Sequence, residues 1–183
     1  MKEITIVGRG DSWRECLFNT EEIWGTATCL TTEGLKDKPF TKVFAFDPVY
    51  PDFQKALDIA KERNIPVVST LFYATEQYPS REVVREFRVS YFKTTISYML
   101  AMAIYQKPDR MWVYGCEQTK TLNYVLFKPF VTFWLGAAYA RGIDMRLGRG
   151  VLNWQYASLP LRQFLDDEGM KELEKELGYK ING

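Results

Sequence analysis

The chain has 183 residues, 46% of them apolar, with 24 Lys+Arg against 23 Asp+Glu and a formal net charge of +1. That length suits one well-buried core rather than two, and the balanced charge gives no global electrostatic case for coating a nucleic acid or an anionic membrane. The chain contains no histidine, which excludes Ser-His-Asp, Cys-His and His-metal chemistry and leaves acid–base work to carboxylates, tyrosine, lysine or the substrate.

Cys16, Cys29 and Cys116 form no C-x-x-C pair. This fits a reducing compartment and speaks against a disulfide framework or a zinc cluster. No stretch approaches the roughly 20 apolar residues of a membrane span. The expectation is a soluble, cytoplasmic, single-domain protein, with residues 151–183 as a C-terminal extension ending in a helix.

In chain order, Ile4-Thr5-Ile6-Val7 predicts a short buried strand that runs into the turn Gly8-Arg9-Gly10-Asp11-Ser12-Trp13. Gly8 and Gly10 let main-chain N–H groups approach a ligand and Ser12 adds a hydroxyl, so the turn suits a phosphate or carboxylate. Trp13 stands where G-x-G-x-x-G has its third small residue, which makes the match to the dinucleotide fingerprint partial. The plainer reading is a tight strand-to-helix turn. Glu22 to Thr28 predicts a second strand, and Lys42 to Phe46 a third that ends in Asp47-Pro48. Pro51-Asp52 opens a helix carrying Phe53, Ala56, Leu57 and Ala60, and Asn64 closes it before the strand Ile65 to Ser69. The alternation points to parallel strands with crossover helices.

A long helical region begins near Ser80, with Val83, Val84, Phe87 and Tyr91 as its apolar face, and breaks near Lys93. Its second half, Thr94 to Ile104, is apolar almost all round and starts on a threonine pair, which predicts a buried central helix with an N-cap. Arg110 to Tyr114 follows as a strand closing on Gly115-Cys116-Glu117. A helix from about Phe130 to Arg141 ends at Gly142, and Ile143 to Leu147 is the last strand. Asp166-Asp167 then cap a charged helix whose stripe of Met170, Leu173 and Leu177 suits either a dimer contact or docking on its own sheet. The fold class is α/β, a Rossmann-like three-layer sandwich with a mostly parallel central sheet.

In such a sheet, ligands collect beyond the carboxyl ends of the strands near the switch point in strand order. The candidate positions are Gly8 to Ser12, Thr26 to Cys29, Asp47, Ser69 and Thr70, Gly115 to Gln118, and Gly148 to Gly150. The helix starting at Thr94-Thr95 offers hydroxyls and free N–H groups at its positive end, for a phosphate or simply for capping. Asp47 and Glu117 each follow an apolar strand and could bind a ribose hydroxyl, act as a base, or merely be solvated. Arg141, Arg146 and Arg149 form a basic group that either meets a diphosphate or solvates the surface. Tyr98, Tyr114 and the five tryptophans read as core residues.

Four segments resemble known motifs in their order. Gly8-Arg9-Gly10-Asp11-Ser12 is similar to a GxGPS-type turn, Trp24 to Cys29 to the strand after it, Thr94 to Ile104 to a T-S-x-x-Y-M-like helix, and Tyr114-Gly115-Cys116-Glu117 to a strand end written G-x-D. Over about residues 3 to 150 they resemble a Rossmann-like superfamily. It includes Campylobacter-type sialyltransferases, archaeal hydroxymethylpterin diphosphokinase-like proteins and phage proteins. The phage proteins also share a segment similar to Lys128-Pro129 through Arg141-Gly142-Ile143. The resemblance implies a nucleotide or nucleotide-linked donor held by Gly8, Gly10, Ser12, Thr94, Thr95 and Ser97. The sialyltransferases rely on a catalytic histidine that this chain lacks, so that activity is not carried over. Asp11 replaces the proline of the turn and would repel an anion unless it turns away or binds a metal. Glu117 replaces the aspartate, keeping the charge and lengthening the reach.

Two readings follow. One is a phage-type nucleotide or nucleotide-sugar binding protein that transfers a glycosyl or phosphoryl group. Asp47 or Glu117 would then bind ribose or serve as base, and Mg²⁺ would assist. The other is a non-catalytic protein that sequesters a nucleotide or binds a host protein, which the missing histidine and Asp11 favour. The partner expected is a small-molecule nucleotide, with no nucleic acid or membrane and with a homodimer as an option.

Overall fold

The computed structural model describes residues 1–48, 51–118 and 122–152, with main chain only over 122–125, together with Lys171 and Lys175. Its strands are β1 (Glu3–Val7), β2 (Glu22–Thr26), β3 (Lys42–Phe44), β4 (Val67–Ser69), β5 (Glu76–Gln77), β6 (Arg110–Tyr114) and β7 (Asp144–Leu147). They form one seven-stranded sheet in the order β5-β4-β3-β2-β1-β6-β7. Every pairing is parallel, with Ile6 of β1 opposite both Trp24 of β2 and Val113 of β6. The helices are α1 (Phe53–Glu62), α2 (Ser80–Phe87), α3 (Thr95–Tyr105) and α4 (Leu122–Ala140).

The central strands are apolar on both faces because both faces are covered. Ile4, Ile6, Trp24, Phe44, Met111 and Val113 pack with Met99, Leu100 and Ile104 of α3 and with Val131, Trp134 and Leu135 of α4. The alternate residues Val7, Ile23, Val43 and Val67 pack on the other side with Phe53, Ala56 and Ala60 of α1 and with Cys29 and Leu30. Strand order turns back at β1: the chain builds outward through β2 to β5, then returns to place β6 and β7 on the other flank. The switch point therefore lies between β1 and β6.

Several elements differ from expectation for local reasons. The turn after β1 leads into a single 3₁₀ segment, Asp11–Glu15, not an α-helix. β2 stops at Thr26, because the next residues wind into the 3₁₀ segment Ala27–Thr31. There Thr31 and Thr32 donate hydroxyl hydrogen bonds to the Thr28 carbonyl, a local competition with strand pairing. β3 ends at Phe44, and the polar two-residue edge strand β5 carries no alternating pattern to read. α2 ends at Arg88 in the left-handed conformation, φ 56°, so Tyr91 lies beyond it and stacks on Phe130 at 4.3 Å. α4 begins eight residues before Phe130 and holds Pro129 inside it. Burial of Val131, Trp134, Leu135 and Ala138 outweighs the one helix bond that the proline forfeits. The helix expected from Asp166, with Met170, Leu173 and Leu177, lies outside the described residues; Lys171 and Lys175 are helical and exposed. Among the described residues no helix is long and apolar enough to cross a membrane.

Two glycines separate packing from propensity. A methyl at Gly8 would run into the main-chain carbonyl of Gly115, whereas one at Gly136, on the exposed side of α4, meets nothing within 4 Å. Gly8→Ala should cost about 1–3 kcal/mol through forced backbone displacement. Gly136→Ala should add about 0.5–1 kcal/mol through helix propensity. Thermal denaturation of the two variants should therefore move Tm in opposite directions.

Candidate functional site

Beyond the carboxyl ends of β1, β2, β3 and β6 lies a cleft of about 860 Å³. Arg9, Gly10, Gly115, Glu117 and Gln118 line it at the switch point, the start of α3 supplies Thr94, Thr95, Ile96 and Tyr98, and Thr26, Thr28, Asp47 and Thr70 supply the far side. Of the expected residues, Gly10, Thr94, Thr95, Asp47 and Glu117 are thus brought to one cavity. Gly8, Ser12 and Ser97 lie behind its wall, with Ser12 and Ser97 buried.

The β1 and β6 loops are locked together. The Gly8 amide donates to the Tyr114 carbonyl at 2.8 Å, and the Gly10 amide to the Gly115 carbonyl at 2.8 Å. The Gly115 amide donates to Ser12 Oγ at 2.8 Å, and the Ser12 amide to Glu117 Oε1 at 2.7 Å. The amides of Gly8, Gly10 and Ser12 are therefore engaged within the protein, and Ser12 Oγ accepts from the Gly115 amide instead of facing the cleft. The physical reason is the close approach of two glycine loops, which brings amide and carbonyl groups of neighbouring strand ends into register. A five-residue 3₁₀ segment in place of an α-helix also leaves this turn without a macrodipole.

Glu117 is 7% exposed, and among the described residues its Oε2 has no hydrogen-bond partner; Gln118 Oε1 is likewise buried and without one among them. Gly10 is needed here because a Cβ would overlap Glu117 Oε2. Beneath the loop, Lys128 of α4 is 3% exposed and donates to the carbonyls of Glu117 at 2.9 Å and Gly150 at 3.3 Å. Burial pushes the Lys128 ammonium below the ordinary lysine value, opposed by the negative charge of Glu117. Sequence reading included Gln118 only in the strand-end run Gly115 to Gln118, and it gave Lys128 no role at the site. The available signal for Lys128 was a single charge inside the apolar run Leu126-Phe127-Lys128-Pro129-Phe130.

At the start of α3, Thr94 and Ser97 form a capping box: Thr94 Oγ1 accepts from the Ser97 amide at 3.2 Å, and Ser97 Oγ accepts from the Thr94 amide at 3.1 Å. The Tyr98 amide turns to the Thr94 carbonyl at 3.3 Å. Of the four amides that a helix start leaves over, those of Thr95 and Ile96 are not used by the box. Capping accounts for the hydroxyls of Thr94 and Ser97.

Asp47 differs from Glu117 by being exposed on the rim. Arg141, Arg146 and Arg149 pair with Glu86, Asp144 and Glu15, and none of the three lines the cleft. Tyr98 lies between Phe46 and Phe92, and Trp24 and Trp134 are fully buried. No group of three or more Cys, Asp or Glu side chains among the described residues is placed to hold a metal ion.

The site is thus a switch-point cleft of a parallel α/β protein. No family model and no curated protein matches the sequence. Among solved structures, the sialyltransferase CstII from Campylobacter jejuni, in complex with the substrate analogue cytidine-5'-monophosphate, has a TM-score of 0.55 at 13% identity, covering 91% of this chain and 84% of that one. The two share a fold.

Two measurements test the interlock. Glu117→Ala strands the buried Ser12 amide and should cost about 1–3 kcal/mol in chemical denaturation, while Glu117→Gln, which keeps an acceptor oxygen, should cost much less. Lys128 titrates below its unfolded-state value of 10.5. The unfolded chain therefore binds more protons in the intervening window, and stability gains from this group as pH rises toward 10.5. Subtracting the pH profile of Lys128→Met from that of the wild type should isolate this rise.

Proposed function

We propose that the protein binds a nucleotide or nucleotide-sugar across the switch-point cleft and transfers the glycosyl group of that donor. One observation carries the reading: the cleft sets amide donors at the start of α3 against two buried acceptors at the switch point, beside Arg9. The amides of Thr95 and Ile96 at the positive end of α3 suit a phosphate, while Glu117 Oε2 and Gln118 Oε1 are buried acceptors that suit hydroxyl or amino donors. A nucleotide presents an anion and donor groups on one molecule. The fold shared with a sialyltransferase in complex with cytidine-5'-monophosphate supports the same class of ligand.

In this reading Gly8 and Ser12 hold the two loops together, Gly10 makes room for Glu117, and Thr94 and Ser97 fix the end of α3. Asp47, on the open rim where an acceptor enters, is the base that takes the proton of the attacking hydroxyl. Transfer without histidine relies on positioning and charge stabilisation. With two carboxylates at the cleft, a Mg²⁺ ion would be held largely by the donor's phosphates and water.

Calorimetric titration with cytidine-5'-monophosphate tests the site. Thr95→Glu should weaken binding about tenfold or more, since a carboxylate about 4 Å from an anion costs roughly 1–4 kcal/mol at the dielectrics of water and protein surfaces. Tm should hold, because an acidic residue suits the first turn of a helix. Absence of binding by the wild type, or indifference to Thr95→Glu, sinks the nucleotide reading. Asp47→Asn should abolish transfer from a cytidine-monophosphate sugar while sparing affinity. The missing histidine favours a second reading, sequestration without reaction; binding by the wild type with no turnover would establish it.

A further inference from the structure

We infer that the Tyr98 hydroxyl donates a hydrogen bond to the phosphate of the bound nucleotide, acting with the amides of Thr95 and Ile96. The inference rests on the nucleotide reading of the cleft and adds a contact that the capping and loop geometry do not supply.

The Tyr98 ring is clamped on both faces. Phe46 stacks on one at 4.0 Å between centroids and 7° between planes, and Phe92 on the other at 4.6 Å and 13°. Phe92 in turn stacks on the fully buried Trp134 at 5.3 Å, which anchors the row in the core. Tyr78 meets the ring edge-on at 5.3 Å and donates its own hydroxyl to the Tyr98 carbonyl at 3.1 Å. A phenol held this way has little rotamer freedom left to lose on binding.

Among the described residues the Tyr98 hydroxyl has no hydrogen-bond partner, and it is not among the polar atoms shut away from solvent. Tyr98 lines the cleft one helical turn after Thr94. Side chains on an α-helix lean toward its N-terminus and cover the preceding turn. By that rule Tyr98 covers the turn of Thr94 and Thr95, which line the same cleft. Burial raises the phenol above its ordinary value, so it remains a neutral donor across the physiological range. A ring clamped on both faces, with a hydroxyl that has no partner among the described residues and a place in the cleft beside a helix start, suits a preorganised anion contact.

Tyr98→Phe removes the hydroxyl and keeps the stack, so Tm should hold. Calorimetry should show cytidine-5'-monophosphate binding weakened about tenfold or more, as for the loss of a hydrogen bond to a charged group. Cytidine, which lacks the phosphate, should bind Tyr98→Phe and wild type alike. Unchanged affinity for the monophosphate in Tyr98→Phe, with Thr95→Glu still impaired, overturns this inference and spares the nucleotide site. Equal losses for cytidine and its monophosphate also overturn it, because the hydroxyl would then serve the nucleoside or the cleft wall. If the wild type binds neither, both proposals fall together.

Discussion

The molecule depends on the contact between two loops at the centre of its sheet. Where β1 and β6 end, main chain meets main chain through the amides of Gly8 and Gly10 and the carbonyls of Tyr114 and Gly115. Such an approach leaves no room for a Cβ at Gly8 or at Gly115, which also takes a left-handed φ of 67°. The seam then organises what surrounds it. Gly148, after β7, packs against Ser12, and Lys128 reaches up from α4 to the carbonyls of Glu117 and Gly150. Glycines that look like a phosphate cradle are here a means of bringing two strand ends within hydrogen-bonding distance. The cleft inherits its shape from that seam.

A different constraint governs the opposite wall. α3 is buried nearly all round, so its register and axial position are fixed by core packing, and its first turn is closed by its own capping box. A helix end fixed on all sides presents its remaining amides at a defined place, and that definition makes a helix terminus useful as an anion contact. The aromatic row from Trp134 through Phe92 and Tyr98 to Phe46 extends the same rigidity to the cleft surface. Core and cleft are here one packed structure.

The parts of this arrangement that are local in sequence were legible there. β1 and β6 read correctly from their apolar runs, and Thr94 as a cap from its place ahead of an apolar stretch. What was not legible depends on partners far along the chain. Asp47 and Glu117 look alike in sequence, each a carboxylate after an apolar strand, yet one is exposed and the other is 7% exposed. The difference arises because Glu117 folds back against Ser12, 105 residues away, while Asp47 stands on an open rim. The start of α4 was also set by distant partners: the helix expected from about Phe130 begins at Leu122 and runs through Pro129, where only the tertiary burial of the residues after it shows why the proline is tolerated.

Buried acceptors without partners are rare in native proteins, since each costs about 1–3 kcal/mol of unrecovered desolvation. Here two such atoms, Glu117 Oε2 and Gln118 Oε1, sit on adjacent residues lining one cleft. Their strain is not needed for the seam, which is held by Glu117 Oε1 and by main-chain bonds. A hydrophobic residue at 118 would remove one of the two orphans without breaking any bond of the seam. Under the proposed function, these two acceptors, unpaired among the described residues, are where the ligand's own donors would bind. A ligand donor reaching them would relieve a penalty already present in the free protein. On the proposed reading, such acceptors favour a ligand with hydroxyl or amino donors over a purely anionic one.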